Sequence, residues 1–288
     1  MNSTLDVGVV AVEEGAAGCG GMTWWSLSGS VGLEDLAEAW EAEGFHPDLL
    51  PTQPSPEAAL HRAAADQAGK RMLCRPLKRG MWELRCEIVV DDGAAAPTLS
   101  HLFECRVELR PDGTPLVTPA DHVLAKPILH AFNVYRTVLT ADDLSVWLST
   151  MARRERGIPL RERGGVYFIP GGEHVARWRK LARALRAASA HRVYEVPALR
   201  TDNAVEAILT ALRHDAEEQL KVVADYLDQG PEGVSTRGLN AYGRKAEEVR
   251  AKLDYYAGLL GVALPDLRAR TVDLAGALTA AKLLAKAS

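Results

Sequence analysis

Apolar residues recur at two different spacings along this chain, and the first spacing is that of a helix. In residues 33–43 they fall three and four positions apart, with Leu36 and Trp40 on one face and acidic residues between them. Because residues three and four apart share a helix face, this pattern predicts an amphipathic helix. Ser55, which is followed by a proline, is a typical helix start and predicts a second helix to about residue 68.

From Met72 the apolar positions alternate with charged ones, which is the spacing of a strand. The alternating runs cover 82–90 and 103–109, and each has one apolar and one charged face. Such runs are typical of an antiparallel sheet with one side in solvent. Residues 22–118 are therefore predicted to form an α+β domain in which helices cover one face of the sheet. Residues 1–21 are rich in glycine and alanine and are predicted to be a flexible tail.

The four cysteines show no paired spacing and no nearby histidines, so the sequence predicts no zinc site. Cys86 lies on the apolar face of the first alternating run, and Cys105 lies with Phe103 on that of the second. A free cysteine at an inward position packs as a small apolar residue. These cysteines are therefore predicted to be reduced thiols of the core.

The central part of the chain, residues 119–200, is predicted to combine helices with a hairpin. The expected helices cover 121–138, 141–156 and 172–188. Gly164-Gly165, between two short apolar runs, predicts a tight hairpin at 158–169. Two helices followed by a hairpin match the second helix, recognition helix and wing of a winged helix-turn-helix. This order predicts a winged-helix-like basic segment.

The last part of the chain, residues 201–288, is predicted to be a helical bundle or a coiled-coil-like region. Helical spacing and two breaks that contain glycine and proline divide it into three long helices, 202–229, 237–260 and 266–286. The complete pattern predicts an α+β fold. It has an N-terminal antiparallel sheet with helices, a central winged-helix-like segment and a C-terminal long-helix bundle.

Charge is distributed unevenly along the chain. Residues 1–150 contain 11 basic and 21 acidic residues, whereas residues 151–200 contain 12 basic and 4 acidic ones. A basic segment inside an acidic chain indicates an anionic partner, or a surface that docks on the chain's own acidic half or on a partner subunit. The sequence leaves both alternatives open.

The basic segment supplies candidate contacts to nucleic acid, because guanidinium groups match the geometry of phosphate. The candidates are Arg153, Arg154, Arg156, Arg161, Arg163, Arg177 and Lys180. Contacts to the backbone of DNA or RNA are salt-dependent and largely independent of base sequence. The first predicted function is a non-enzymatic nucleic-acid-associated or assembly protein. The alternative is a protein-interaction or structural subunit that oligomerises, or docks on a larger complex, through its C-terminal helices.

Two pairs of adjacent aromatic residues are predicted to point to opposite faces of their strands. For Trp24 and Trp25, this pattern places one side chain in the core and the other at an interface. For Tyr167 and Phe168, one side chain is expected to pack in the core and the other to contact a partner.

The chain contains no recognisable catalytic or cofactor motif. Its histidines form no metal-binding pair, and neither a phosphate-binding loop nor a nucleophile elbow occurs. The protein is therefore predicted not to be an enzyme, with no cofactor and no metal. The N-terminus lacks the basic start of a secretory signal, and no apolar run reaches the ~18 residues that a membrane span needs. A cytoplasmic protein without a membrane partner is expected.

Two short segments carry a resemblance to a known family. TWWSLSGSV near the N-terminus and LRERGGVYFIP at the hairpin resemble an uncharacterised family of bacterial and phage proteins. The resemblance spans most of residues 22–260. It implies a leading tryptophan-rich strand, a conspicuous hairpin box and a helical C-terminal half. It implies no activity and assigns no functional residue.

Overall fold

A computed structural model describes residues 18–69, 72–90, 98–161, 165–229 and 235–287. The fold is α+β, as predicted, with antiparallel sheets in the N-terminal and central parts and long helices at the C-terminal end. The described residues divide into two compact units, each built from separate stretches of the chain. The domain limits near residues 118 and 200 stay a prediction from the sequence.

The first unit comprises the described residues of 1–26, 148–182 and 192–288, and it contains a four-stranded antiparallel sheet. In sheet order its strands are β10 (Arg192–Leu199), β1 (Gly18–Ser26), β9 (Tyr167–Pro170) and β8 (Ile158–Pro159). Strand β1 pairs with β10 on one side and with β9 on the other. Residues 18–21 thus belong to β1, and their assignment to a tail was wrong. The rest of the predicted tail lies outside the described residues.

Three long helices follow this sheet in the first unit, as the sequence predicts. They are α6 (Asp202–Leu227), α7 (Thr236–Leu260) and α8 (Pro265–Ala287). The side chains of Thr201 and Ser235 cap α6 and α7 by accepting hydrogen bonds from backbone N–H groups of the first turn. The apolar stripes of these helices enclose Phe168 of the sheet in one buried cluster.

The predicted hairpin is present between β8 and β9, where Ile158 pairs with Phe168. Residues 162–164 at its tip lie outside the described residues. Strand β9 also pairs with β1, and all four of its residues are buried. A wing presents its strands to solvent, so this buried interior strand does not support the winged-helix interpretation.

Both aromatic residues of β9 pack inside the unit. Trp25 stacks on Tyr167 with ring centroids 5.5 Å apart, and Tyr256 lies 6.1 Å from Phe168 on the other face. The sheet is covered on both faces at this point, so the expected partner contact of one of these residues was wrong. Gly165 lies against the Trp25 indole, and a Cβ there would come within 2.6 Å of the ring. This glycine is therefore required for packing.

The two adjacent tryptophans of β1 differ in exposure. Trp25 packs against Tyr167 and Trp178, whereas Trp24 is 37% exposed and stacks on Tyr194 of β10. The two side chains point to opposite faces, as the sequence predicts, although Trp25 is only partly buried. The interface expected at the other tryptophan stays a prediction.

The second unit comprises the described residues of 27–147 and 183–191. Its main sheet is an antiparallel meander of β3 (Met72–Lys78), β4 (Met81–Val90), β5 (Thr98–Leu109) and β6 (Pro115–Thr118). Helices α2 (Pro56–Ala68) and α3 (Ala125–Thr137) bury Leu60 and Ile128 against Trp82 and Leu84 of this sheet. The helix-covered sheet that the alternation predicts is thus present.

The remaining elements of the second unit are helix α1 (Leu33–Ala42) and a short pair of strands, β2 (Ser30–Gly32) and β7 (Val138–Thr140). Helix α3 begins at Ala125 and not at the predicted residue 121. Pro127 therefore lies in its first turn, where the missing N–H costs no intrahelical hydrogen bond. Two further helices, α4 (Ala141–Arg154) and α5 (Glu173–Ala188), have residues in both units.

An irregularity between β4 and β5 changes which residues face inward. Leu84 pairs with Cys105, but the next residue, Arg85, pairs with Phe103, so the register shifts at this point. A bulge turns the following residues to the other face, and Phe103 is 49% exposed. The predicted inward position of Phe103 was therefore wrong. Cys105 is buried as predicted, and burial raises the pKa of its thiol to about 11.

Candidate functional site

Helix α4 ends in a turn that places an arginine in an unusual backbone conformation. The N–H of Gly157 donates to the carbonyl of Ala152 at 2.7 Å, and that of Arg156 donates to Arg153 at 3.0 Å, the two bonds of a Schellman motif. Arg156 occupies its left-handed position with φ 58°, where glycine is the usual residue. A residue with a Cβ costs about 1 kcal/mol there. The conformation of Arg156 therefore has a stability cost that glycine would avoid.

Asp215 of α6 holds two cations beside this turn. Its carboxylate accepts hydrogen bonds from Arg153 Nη1 at 2.9 Å and from Lys252 Nζ at 2.8 Å, although Asp215 is only 2% exposed. Gln219 Nε2 adds a third donor at 2.7 Å. Because a buried carboxylate is stable only when it is paired and hydrogen-bonded, this arrangement fixes the two cations in place.

Lys252 of α7 is largely buried, with 13% of its side chain exposed. Its Nζ also donates to the carbonyl of Gly157 at 3.0 Å. Burial lowers the pKa of Lys252 and the charge of Arg153 acts in the same direction, whereas Asp215 opposes both effects. Asp215 thus stabilises the charged form of Lys252, which burial alone would disfavour.

A cleft of 490 Å³ opens beside these residues. We call it the basic cleft, and its lining residues are Thr150, Arg153, Arg154, Arg156, Gln219, Glu248, Ala251 and Lys252. Four cations line it. Together with the carboxylates of Glu248 and Asp215, they leave an excess of two positive charges. A concave surface with this charge suits an anion.

Two arginines of the basic cleft have donors for a ligand. Arg154 is exposed, and no described residue forms an ion pair or hydrogen bond with its guanidinium. The guanidinium of Arg156 lies 4.5 Å from the ring centre of Tyr255, a cation–π contact. This contact uses the face of the guanidinium, and Nη1 donates to the carbonyl of Ala251 at a long 3.5 Å. The other N–H groups at the edge keep their capacity to donate.

The basic cleft brings together three of the predicted contact residues, Arg153, Arg154 and Arg156, and the others lie elsewhere. Arg161 lines a separate groove of 530 Å³ with Glu206 and His214. Lys180 is exposed on α5 and does not line the cleft. Arg163 lies outside the described residues.

Arg177 is held by acidic residues of its own segment. Its Nε donates to Glu155 at 2.9 Å and its Nη1 donates to Glu173 at 2.9 Å. These hydrogen bonds, that to Glu155 first, raise the pKa of Arg177. Glu155 is buried and also contacts His174 Nδ1 at 2.9 Å. Arg177 therefore has a structural role in this arrangement.

Other arginines of the basic segment are also paired within the chain. Arg179 forms an ion pair with Glu195, and Arg183 forms one with Glu43 of the acidic N-terminal half. Part of the positive charge that the sequence displays is therefore neutralised internally. Arg154 is among the described arginines of this segment that form no ion pair.

Sequence reasoning missed Lys252 and Asp215, although a signal for them exists. Each is a charged residue at the edge of an apolar helical stripe, between Val249 and Tyr256 on α7 and beside Leu212 on α6. Two opposite charges on the apolar faces of neighbouring helices predict a buried pair.

Comparisons with known proteins give a family and no activity. Among the described residues, no helix has the length and apolar character needed to cross a bilayer. Comparison with curated proteins and with solved structures gives no match. A family model matches residues 19–288, almost the whole chain. The chain belongs to the family of unknown function DUF6744.

Proposed function

We propose that this protein binds the phosphate groups of nucleic acid through the basic cleft and performs no catalysis. The observation that carries this proposal is the convergence of Arg153, Arg154, Arg156 and Lys252 on one concave surface with an excess of positive charge. Arginine supplies forked donors that match phosphate oxygens, and lysine supplies a compact positive charge.

The backbone of Arg156 supports the same proposal. A left-handed arginine costs stability at a position where glycine would not. Residues in unfavourable backbone conformations concentrate at functional sites. We therefore infer that Arg156 serves ligand binding at the expense of local stability.

The proposal predicts that removing two guanidinium groups weakens binding and leaves the fold intact. The variant combines Arg154→Ala, which breaks no hydrogen bond or ion pair among the described residues, with Arg156→Gly, which suits the left-handed turn. Binding of a labelled single strand is measured by fluorescence anisotropy at about 50 mM salt and above. The slope of log K against log salt should become shallower by about 0.7 for each phosphate that the variant no longer neutralises.

Arg213→Ala is the matched control for this experiment. Arg213 is exposed on α6 and lies two residues before Asp215, about 200° around the helix from it. This variant removes one positive charge outside the cleft, against the two that the double variant removes inside it, and should bind nearly as the wild type does. Equal weakening by both variants, or no binding by the wild type at low salt, would contradict the proposal.

A second candidate function is self-association through the C-terminal helices. The observation that favours it is the exposure of two large apolar residues on α8, Val272 at 60% and Leu283 at 65%. They are separated by three helical turns and lie about 20° apart around the axis, so they share one face. Pairing of this face with the same face of a second copy would bury both residues.

Light scattering tests this second candidate. The wild type should show a mass above the 31.2 kDa of one chain, and the pair Val272→Lys and Leu283→Lys should reduce it to that value. Val222→Lys, at an exposed apolar residue of α6, is the control. A wild type that is monomeric at all accessible concentrations would eliminate self-association.

We also propose that the protein is cytoplasmic and that its family occurs in bacteria and their phages. Both rest on the sequence, the second on the segments TWWSLSGSV and LRERGGVYFIP.

A further inference from the structure

The shape and charge of the basic cleft favour one kind of phosphate over another. A phosphate inside a nucleic-acid strand is a diester with a single negative charge and a substituent on either side. A phosphate at a strand end is a monoester that carries about 1.5 to 2 negative charges near neutral pH and three acceptor oxygens. The two classes therefore differ in the charge and in the number of donors that they require.

The cleft matches the monoester in charge. Its four cations, set against Glu248 and Asp215, leave two positive charges in excess. That excess balances a phosphate dianion, whereas one diester would leave part of it uncompensated. Gln219, whose Nε2 also donates to Asp215, adds a neutral amide group to the lining.

The cleft also matches a strand end in shape. At 490 Å³ it has the size of a site for a small ligand, and its lining comes from the end of α4 and from facing parts of α6 and α7. A phosphate at the end of a flexible strand can reach into such an open cleft. The middle of a duplex cannot enter it, because its backbone continues in both directions and is attached to a rigid helix.

From these observations we propose that the basic cleft binds the terminal phosphate monoester of a nucleic-acid strand. This inference rests on the proposed function and specifies its ligand. Arg154 supplies forked donors, unpaired among the described residues, at the exposed side of the cleft. Lys252, held by Asp215, supplies a fixed charge at the buried side.

The test compares labelled single strands of one sequence that differ only at their ends, with a 5′-phosphate, a 3′-phosphate or hydroxyl groups at both ends. The full chain is titrated with each strand by anisotropy at low salt. At least one phosphorylated strand should bind about tenfold more tightly than the hydroxyl strand. Arg154→Ala should abolish that difference, and Arg213→Ala should preserve it.

Each outcome decides the inference. If all strands bind equally and Arg154→Ala weakens them equally, terminal recognition is overturned and the proposed function stands. If no strand binds, both are overturned. If the preference for a phosphorylated end survives Arg154→Ala, the cleft is not its origin. A nucleoside monophosphate is then added as a competitor. If it displaces the bound strand, the cleft recognises the phosphate monoester itself, whether the monoester ends a strand or belongs to a free nucleotide.

Discussion

Asp215→Ala is expected to lower the free energy of unfolding of the unit that contains it by about 3–5 kcal/mol. The substitution removes the carboxylate that Arg153 and Lys252 share and leaves the ammonium group of Lys252 largely buried without its partner. Arg153 can turn to solvent, because about half of its side chain is already exposed. The loss therefore arises mainly from Lys252. Denaturant unfolding followed by circular dichroism measures it.

Two further variants separate this explanation from a general weakening of α6. Asp225→Ala removes an exposed carboxylate from the same helix and should change stability by less than about 0.5 kcal/mol. The double variant Asp215→Leu and Lys252→Met replaces the pair by apolar residues and should recover most of the lost stability. A double variant as unstable as Asp215→Ala would show that the unpaired ammonium is not the cause.

Trp178→Ala is expected to destabilise the first unit by about 3–5 kcal/mol. Trp178 is 1% exposed, and its Nε1 donates to Thr23 Oγ1 at 2.8 Å. That hydroxyl in turn donates to the carbonyl of Tyr194 at 2.7 Å, so the indole supports both β1 and β10. The substitution opens a large cavity and removes a buried donor. Thermal and denaturant unfolding measure the change.

Trp24→Ala is the matched control, because it truncates the same residue type on the same sheet at a partly exposed position. Trp24 stacks on Tyr194 but remains 37% exposed, so a loss of about 1 kcal/mol is expected. Comparable losses for the two tryptophans would contradict the account of Trp178 as the anchor of α5.

The sequence predicts most helices and strands of this fold because their apolar spacings are unambiguous. The helical stripes of 202–229 and 237–260 and the alternation after Met72 all correspond to observed elements. Prediction failed where pairing partners decide the outcome. Strand β9 is buried because β1, more than 140 residues earlier in the chain, pairs with it, and Phe103 turns outward because of a bulge. Neither effect has a local signal.

Part of the candidate site could likewise be predicted from the sequence. The arginines after α4 are visible as a cluster in the sequence, and three of them meet in the basic cleft. Arg177 belongs to the same run but is held by Glu155. Only tertiary structure distinguishes a paired arginine from an available one. Lys252 is nearly 100 residues away in sequence and reaches the cleft because α7 packs beside the end of α4.

Chemical protection of Arg154 is the most direct test of the proposed binding site. The protein is modified with an arginine-specific dicarbonyl reagent, with and without a saturating single strand that carries a terminal phosphate, and each arginine is quantified by mass spectrometry. If the strand binds in the basic cleft, it protects Arg154, while Arg213 is modified equally in both samples. Equal modification of Arg154 in the presence and absence of bound strand would contradict binding in the basic cleft.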